Sequence, residues 1–190
     1  YPNFPQVEIK GIVNDLLNDL PKLEPGQENN EYEKNPSEYL TVTGIRKSND
    51  VLTDHQTRNI REVDRNIYRI AIQMWNNKHG RLRYTDLPKE LQFHNNKTSF
   101  LDRFKVVEGD MECAHTMLAH IAKDGHYYIH PDIEQARSLS VREAARIQSF
   151  PDSYYFEGSR TAKFVQIGNA VPPLMAKGIA NEIMRLLNGL

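Results

Sequence analysis

Two arginines spaced four residues apart are the side chains of this sequence best suited to holding an anion. Arg142 and Arg146 fall within the run Arg137–Pro151, whose pattern is that of a short helix. Residues four apart lie on the same side of a helix. The pair could therefore hold phosphate groups, or it could pair with carboxylates of neighbouring segments. The spacing by itself favours ion pairing within the protein.

A second candidate anion site lies near the C-terminus, where Gly168 and Asn169 precede a helix. Val165–Ile167 predicts a short strand, and Pro172 and Pro173 fit the first turn of the helix, where backbone N–H groups have no helical acceptor. Free N–H groups at such an end can bind a carboxylate or a phosphate. Most junctions of this kind bind nothing, so the feature alone identifies no ligand.

The only cysteine of the chain is poorly placed for nucleophilic chemistry. Cys113 lies in Glu112-Cys113-Ala114, which offers neither a helix N-terminus nor a base to activate the thiol. A less favoured alternative is a zinc-binding interaction domain, although the spacing of the candidate ligands matches no known zinc finger. Those candidates, all within 18 residues, are Cys113, His115, His120, His126 and His130.

The helix that carries the two arginines has a clear predicted start and end. Ser140 and Glu143, three residues apart, form a capping box, so the helix should begin at Val141. It should end before Pro151, because a proline ring disfavours helical geometry in the preceding residue.

A long amphipathic helix is predicted over residues 54–78. Thr53 and Gln56 have the spacing of a second capping box, and apolar residues recur at near-helical intervals as far as Gly80. Four arginines of this segment recur three or four residues apart and share one stripe, which could face DNA or pair with nearby acidic residues. They are Arg58, Arg61, Arg65 and Arg69.

A β-hairpin is predicted between residues 115 and 130. Residues 115–121 are compatible with a strand, and Lys123–Gly125 supplies turn chemistry. Residues 126–130 would form the returning strand, which stops at Pro131.

Composition and charge bound the class of protein. The 190 residues, 39% of them hydrophobic, carry a net charge of −1, and no run of about 18 apolar residues occurs. Residues 1–40 hold eight acidic against three basic residues, whereas residues 41–105 hold thirteen Lys and Arg against seven Asp and Glu. The basic middle could line a phosphate-facing cleft, because charges farther apart than about 8 to 10 Å are largely screened. With no signal peptide pattern, we expect a cytoplasmic protein without membrane contact.

The two runs 137–151 and 166–173 together resemble motifs IX and X at the C-terminal end of the cytosine-5 DNA methyltransferases. The residues that match motif IX are Arg137, Leu139, Arg142, Glu143, Ala145, Arg146, Gln148, Phe150, Pro151 and Asp152. Those that match motif X are Gln166, Gly168, Asn169, Ala170 and Val171. In that family motif IX braces the target-recognition domain, and motif X helps to wall the cofactor pocket.

The segment before motif IX is similar to the end of the target-recognition domain in the Dcm-like bacterial branch. Thr116 falls at the position whose family counterpart touches the DNA backbone beside the flipped cytosine. The resemblance implies that the intact enzyme binds double-stranded DNA and S-adenosylmethionine, and we do not expect this chain alone to bind the cofactor. Candidate DNA contacts are Thr116, Met117, Arg103, Arg137 and Arg142, and candidate cofactor contacts are Asn169, Ala170 and Val171.

The catalytic motifs of that family are missing from this chain. The Phe-x-Gly-x-Gly cofactor loop, the Pro-Cys-Gln nucleophile loop, the Glu-Asn-Val segment and the Gln-x-Arg-x-Arg strand are all absent. We therefore expect no catalytic residue, no metal ligand and no activity from this chain alone. Its expected partners are DNA and a catalytic domain, in cis or as a second subunit. The alternative is a stand-alone DNA-binding or regulatory module that lacks catalysis.

The resemblance implies a mixed α+β fold in three parts. Residues 1–40 would be a connector, with residues 24–37 as its loop. Residues 41–163 would be the target-recognition domain, with a β-hairpin, a long helix and motif IX at 137–152. Residues 164–190 would be a strand and helix that belong to the Rossmann-like catalytic domain of the intact enzyme. Without that domain, we expect the apolar face of residues 170–187 to drive self-association or non-native docking.

Overall fold

The regular structure of this chain is almost entirely helical. The computed structural model describes residues 9–189, with five α-helices in that range: α1 (Glu38–Thr43), α2 (Glu62–Lys78), α3 (Val141–Ile147), α4 (Arg160–Asn169) and α5 (Pro173–Asn188). Short 3₁₀ helices lie at Val13–Leu16, Tyr84–Asp86, Lys89–Leu91 and Ala119–Ala122. Over the same range β structure is limited to three isolated bridges, and no helix combines the length and apolarity needed to cross a membrane.

Two apolar cores hold residues 9–189 together. Core A surrounds α3 and α4, and core B packs against α2. Core A consists of Val13, Leu17, Val107, Met117, Ile121, Tyr128, Leu139, Val141, Ala144, Ala145, Phe150, Phe156, Phe164 and Ile167. Core B consists of Ile67, Tyr68, Ala71, Ile72, Leu82, Tyr84, Leu87, Phe104, Val106, Ile129 and Ala136.

One extended segment joins the two cores. Tyr128 belongs to core A and the next residue, Ile129, belongs to core B, as expected where successive side chains of an extended chain point in opposite directions. Ile129 forms a parallel bridge with Val106 and an antiparallel bridge with Ser138. The segment thereby connects α2 and its neighbours to α3.

The predicted β-hairpin at 115–130 is wrong. Ala119–Ala122 is a 3₁₀ helix, in which the N–H of Ile121 donates to the carbonyl of Leu118 at 3.0 Å. This turn packs against α4, and the space beside Gly168 is so small that an added Cβ would lie 2.4 Å from the Ala119 nitrogen. Packing against a helix therefore overrides the strand-like pattern.

The predicted strand at residues 165–167 is also wrong, because these residues lie inside α4. The Ser159 side chain accepts a hydrogen bond from the N–H of Ala162 and caps the helix. Phe164 and Ile167, three residues apart, are both buried in core A. The helical spacing of these two residues, rather than the alternation of residues 165–167, determines the local structure. The predicted domain boundary at 163/164 falls within this helix.

The predicted long helix is present as α2, but it begins at Glu62 and not at residue 54. Residues 54–61 are non-helical and Asp54 has a φ of 62°. The carbonyls of Asp54 and Gln56 instead accept hydrogen bonds from the N–H groups of Arg142 and Val141, at 3.0 and 3.2 Å. Residues 53–56 thus bind the first residues of α3 and do not cap α2.

Candidate functional site

The short helix α3 is buried and capped as its sequence predicts. It begins at Val141, and the Ser140 hydroxyl accepts from the N–H of Glu143 at 3.1 Å, while the Glu143 carboxylate accepts from the N–H of Ser140 at 2.7 Å. Arg137 then closes a bidentate pair with Glu143, with both N···O distances 2.7 Å. The N-terminus of α3 is therefore held by the charge-assisted hydrogen bonds between Arg137 and Glu143 as well as by the Ser140 cap.

Glu143 is a buried carboxylate held in its charged form. Burial alone would raise its pKa, but the positive charge of Arg137, the neighbouring His130 and the hydrogen bonds from Arg137 lower the pKa below its ordinary range. Burial lowers the pKa of His130 to about 4, so this imidazole is neutral near pH 7. The buried charge of Glu143 is consequently compensated by Arg137.

Arg146 ties α3 to two distant parts of the chain. Its guanidinium donates to both carboxylate oxygens of Asp152, at 2.9 and 2.6 Å, and to those of Asp19, at 2.5 and 3.1 Å. A further hydrogen bond of 2.7 Å reaches the Leu16 carbonyl. Arg46 also pairs with Asp19. Because Asp19 lies 127 residues before Arg146, this network fastens the N-terminal segment onto core A.

Arg142 fastens α3 to the segment that precedes α2. Its guanidinium donates to the Thr53 carbonyl at 2.9 Å and to the Thr53 hydroxyl at 2.7 Å. The carbonyls of Pro151 and Tyr154 accept the remaining hydrogen bonds, at 3.2 and 2.9 Å. The Arg142 side chain has no solvent exposure.

Arg137 and Arg142 were candidate DNA contacts, and both side chains lie in the interior of this chain. Each side chain is fully buried, and their guanidinium groups donate to carbonyl, hydroxyl, amide or carboxylate oxygens of this chain. The choice between phosphate binding and internal ion pairing at Arg142 and Arg146 is decided in favour of the internal role. We call Arg137, Arg142 and Arg146, with their acidic partners Glu143, Asp19, Asp54 and Asp152, the arginine brace.

The arginines of the predicted stripe are likewise bonded to groups of this chain. Arg58 and Arg61 precede the first helical residue, so the four arginines do not share one helical stripe. Arg58 donates to the Ile121 carbonyl. The other three pair with acidic side chains: Arg61 with Asp64, Arg65 with Glu24 and Arg69 with Glu62.

Thr116 and Met117 lie on the border of an open groove of about 350 Å³. Thr116 is exposed, whereas Met117 is 3% exposed and belongs to core A. Cys113 and His115 line the same groove, together with Gln148 from the end of α3. Of these two candidate DNA contacts, only Thr116 is exposed on the groove.

Arg103 is partly exposed and its guanidinium is engaged locally. It donates to three carbonyl oxygens of its own loop and lies over the Tyr84 ring, with the Cζ atom 4.3 Å from the ring centre. Its direct role is therefore to shape the loop between Asn96 and Phe100.

The candidate cofactor residues form an open corner between α4 and α5. Asn169 is exposed, Ala170 is partly buried and Val171 is 60% exposed. The helix that follows starts with Pro173 at its first position, as the sequence predicts. The three candidate residues therefore lie together at one turn of the chain surface.

The clustered histidines make separate contacts. His115 Nε2 lies 2.8 Å from the Tyr127 carbonyl, His126 Nδ1 lies 2.8 Å from the Tyr68 hydroxyl, and buried His130 accepts from the N–H of Asp132. Within residues 9–189 no group of three or more His, Cys, Asp or Glu side chains is arranged to hold a metal ion.

Comparison with known proteins shows the family of this chain. The model of the family described as C-5 cytosine-specific DNA methylase matches residues 2–185. The chain belongs to the C-5 cytosine-specific DNA methylase family. The family uses S-adenosylmethionine as its methyl donor, and its relatives below are DNA methyltransferases by name.

Three relatives show how far the similarity extends. Type II methyltransferase M.Bpa9945I of Bacillus paralicheniformis is 46% identical over 204 residues, covering 100% of this chain and 44% of that protein. Type II methyltransferase M.AgeI of Thalassovita gelatinovora is 43% identical over 100 residues, covering 53% of the chain and 22% of that protein. DNA (cytosine-5)-methyltransferase 4 of Arabidopsis thaliana is 32% identical over 192 residues, covering 92% and 12%. The chain spans less than half the length of each relative.

Two residues of this methylase-family chain, Asp19 and His55, matter to the site but escaped the sequence reasoning. Asp19 and Asp152 neutralise Arg146, and buried His55 joins the Ser140 hydroxyl to the Pro21 carbonyl at 2.9 and 2.8 Å. Burial lowers the pKa of His55. Asp152 lies six residues from Arg146 and was within reach of a spacing argument, but Asp19 and His55 have no local signal.

Proposed function

We propose that this chain is the DNA-recognition and cofactor-pocket-completing segment of a DNA (cytosine-5-)-methyltransferase. The intact enzyme would transfer a methyl group from S-adenosylmethionine to cytosine in a specific DNA sequence. In this proposal the chain corresponds to the target-recognition domain with motif IX, followed by motif X. The nucleophile and most of the cofactor site lie on polypeptide outside the chain.

One observation carries the proposal: similarity to M.Bpa9945I covers all of this chain but only 44% of that protein. An enzyme of this family needs a cysteine that adds to the cytosine ring. The chain has one cysteine, Cys113, which is exposed and follows Glu112 on the rim of the Thr116 groove. The chain therefore fits the part of the enzyme that does not hold the nucleophile.

The arginine brace gives this segment a physical role. Flipping a cytosine out of the duplex requires protein surfaces that hold the DNA on both sides of the base. Such a surface must be rigid to act, and Arg142 and Arg146 tie α3 to segments that are distant in sequence. The brace would thus keep the framework around core A rigid, and the exposed Thr116 beside that core would contact the DNA backbone.

The corner at Asn169–Val171 would close the cofactor pocket. S-adenosylmethionine supplies the methyl group when it is bound by the complete enzyme. The side chain of Asn169 is exposed at the end of α4 and is available to hydrogen-bond a polar ligand. The apolar side chain of Val171 is 60% exposed in this chain and so is free to pack against a ligand. In that position it would shield the ligand from water.

The test is to restore the missing part and measure labelled methyl transfer to DNA. The part of M.Bpa9945I outside the matched region would be mixed with this chain, S-adenosylmethionine carrying a labelled methyl group and DNA of diverse sequence. We expect label in the DNA only when both polypeptides are present. A correctly folded pair that methylates no DNA would contradict the proposal, and DNA binding by the chain without any methylation would favour the stand-alone module.

Two matched substitutions sharpen this assay. Asn169→Ala should raise the KM for S-adenosylmethionine by about tenfold, the effect of losing one hydrogen bond to a charged ligand. Asn181→Ala, at an exposed position within α5, should leave that KM unchanged. Equal effects of the two substitutions would remove Asn169 from the proposed pocket.

A further inference from the structure

The segment Asn95–Arg103 forms an exposed loop that one arginine holds in shape. The Arg103 guanidinium donates to the carbonyl oxygens of Phe100, Asn96 and Ser99 at 2.9, 2.8 and 3.0 Å. The same group lies over the ring of Tyr84, a fully buried residue of core B. The loop is therefore preorganised by a cation that points inward.

Hydrogen bonds within the loop reinforce this shape. The Asn96 side-chain oxygen accepts from the N–H groups of Thr98 and Ser99 at 3.1 and 3.0 Å, and its amide nitrogen donates to the Ser99 hydroxyl at 2.6 Å. At the far end the N–H of Tyr84 donates to the Leu101 carbonyl at 2.6 Å. The loop is thus anchored on core B at its base while its tip projects into solvent.

The tip presents an aromatic side chain in a disfavoured backbone conformation. Phe100 is 77% exposed, more than any other large apolar side chain of residues 9–189. Its φ of 52° lies in the left-handed region, which bulky residues rarely adopt. No burial of the ring compensates for that conformation in the free chain. Strain of this kind is typical of positions that contact a ligand.

The groups beside Phe100 suit the edges of DNA bases. The side chains of Asn95 and Lys97 are exposed and have no hydrogen-bond or ion-pair partner within the described part of the chain. Residues 81–105, which contain the loop, hold six Lys and Arg against three Asp and Glu. An asparagine amide can pair with adenine, a lysine with guanine or phosphate, and a phenylalanine with a thymine methyl group or a base face.

We propose that Asn95, Lys97 and Phe100 make the sequence-reading contacts with DNA, and that Arg103 positions them. This inference rests on the proposed function, because it assigns the specificity of the same DNA-binding segment. Phe100 is flanked by polar side chains and a positive charge, which suits a groove with polar base edges and phosphates. A protein partner would instead be matched by a contiguous apolar surface around the ring.

The test compares loop variants in a working enzyme. This chain, joined to the part of M.Bpa9945I outside the matched region, would methylate a DNA library with randomised sequence, and sequencing of the methylated cytosines would give the preference at each base pair. Asn95→Ala should relax that preference at one base pair. Phe100→Ala should weaken binding of the preferred DNA about tenfold, the loss expected for one aromatic contact with a base, and Phe100→Trp should retain most of the binding.

Controls separate recognition from structure. Tyr155→Ala removes another exposed aromatic side chain, 58% exposed, and should change neither the preference nor the affinity. Arg103→Ala should alter the preference at every position that the loop reads, because it frees the three carbonyls that fix the loop. Thermal unfolding of each variant checks that the fold is retained.

The outcomes distinguish the two proposals. If the wild-type enzyme methylates a defined sequence and both Asn95→Ala and Phe100→Ala keep its preference and affinity, the loop does not read DNA and only this inference fails. A change confined to Arg103→Ala would overturn it too, since that pattern indicates a purely structural loop. If the folded wild-type fusion methylates no DNA, the proposed function fails and the inference fails with it.

Discussion

Helices α3 and α5 belong to the same chain, but their surroundings are opposite. In α3 the first six residues are buried, and every guanidinium it carries is paired inside the protein. In α5 the side chains of Ile183, Met184 and Leu187 are 52%, 56% and 61% exposed. Residues three or four apart share one side of a helix, so these three form an apolar stripe. The difference indicates that α3 completes the interior of this chain, whereas α5 leaves an apolar surface exposed.

The largest effect should come from breaking the arginine brace. Arg146→Met would leave the buried carboxylates of Asp19 and Asp152 without their main counter-charge. We expect the free energy of unfolding to fall by about 3 to 5 kcal/mol, as when one partner of a buried ion pair is removed. Urea denaturation followed by circular dichroism measures this loss.

A surface ion pair provides the control for that substitution. Arg69 pairs with Glu62 on α2, and their side chains are 39% and 68% exposed. Arg69→Ala should change stability by no more than about 1 kcal/mol. Similar losses for Arg146→Met and Arg69→Ala would mean that the buried network contributes no more than an exposed pair.

The buried histidine beside α3 predicts a loss of stability in acid. The pKa of His130 is lowered by burial to about 4, whereas in the unfolded chain it is about 6.5. Between these values the unfolded chain binds a proton that the folded chain does not, so stability falls as the pH drops from about 6.5 to 4. The loss from His130 alone is about 3 kcal/mol. Unfolding midpoints that stay constant or rise as the pH is lowered from about 6.5 to 4 would contradict a buried, neutral His130.

Two glycines, Gly168 in α4 and Gly178 in α5, differ in how closely other atoms pack around them. A Cβ at Gly168 would lie 2.4 Å from the Ala119 nitrogen, whereas a Cβ at Gly178 in α5 meets nothing within 4 Å. Gly168→Ala should therefore cost about 1 to 3 kcal/mol, because backbone atoms must separate. Gly178→Ala should be neutral or should stabilise the helix by up to about 1 kcal/mol. Thermal unfolding measures the stability of both variants. A larger loss for Gly178→Ala than for Gly168→Ala would contradict the tighter packing around Gly168.

The exposed stripe of α5 should govern association without affecting the fold. Leu187→Glu is expected to weaken self-association about tenfold, the effect of losing one buried leucine from an apolar contact. Val42→Glu, at a 63% exposed position of α1, is the control and should leave association unchanged. Analytical ultracentrifugation measures both. A wild-type chain that stays monomeric at high concentration would show that the stripe does not drive association.

The sequence predicts those parts of the fold that depend on local signals. The capping box at Ser140 acts within a few residues, so the start of α3 was predicted correctly, and the two prolines lie at the N-cap and the first position of α5. Gly168 and Asn169, expected directly before that helix, lie within α4 instead. The hairpin and the strand at 165–167 were wrong, because contacts between Gly168 and the Ala119 turn decide the structure there. These contacts join segments about fifty residues apart, and no local pattern reports them.

In the candidate site, too, local features could be predicted from the sequence and contacts between distant segments could not. Spacing placed Arg142 and Arg146 on one side of a helix, and it left phosphates and carboxylates as alternative partners. The deciding partner, Asp19, lies 127 residues away, so the choice required the three-dimensional structure. No sequence pattern pointed to Phe100, whose exposure, left-handed backbone and hydrogen bond to Arg103 are visible only in the structure.

Hydrogen exchange in the presence of the rest of the enzyme tests the contrast between α3 and α5 most directly. Amide exchange would be measured for this chain alone and after addition of the part of M.Bpa9945I outside the matched region. We predict that the amides of α5 (Pro173–Asn188) become strongly protected, while those of α3 (Val141–Ile147) are protected in both states. Unchanged exchange in α5, or protection that appears in α3 only after the addition, would contradict the account.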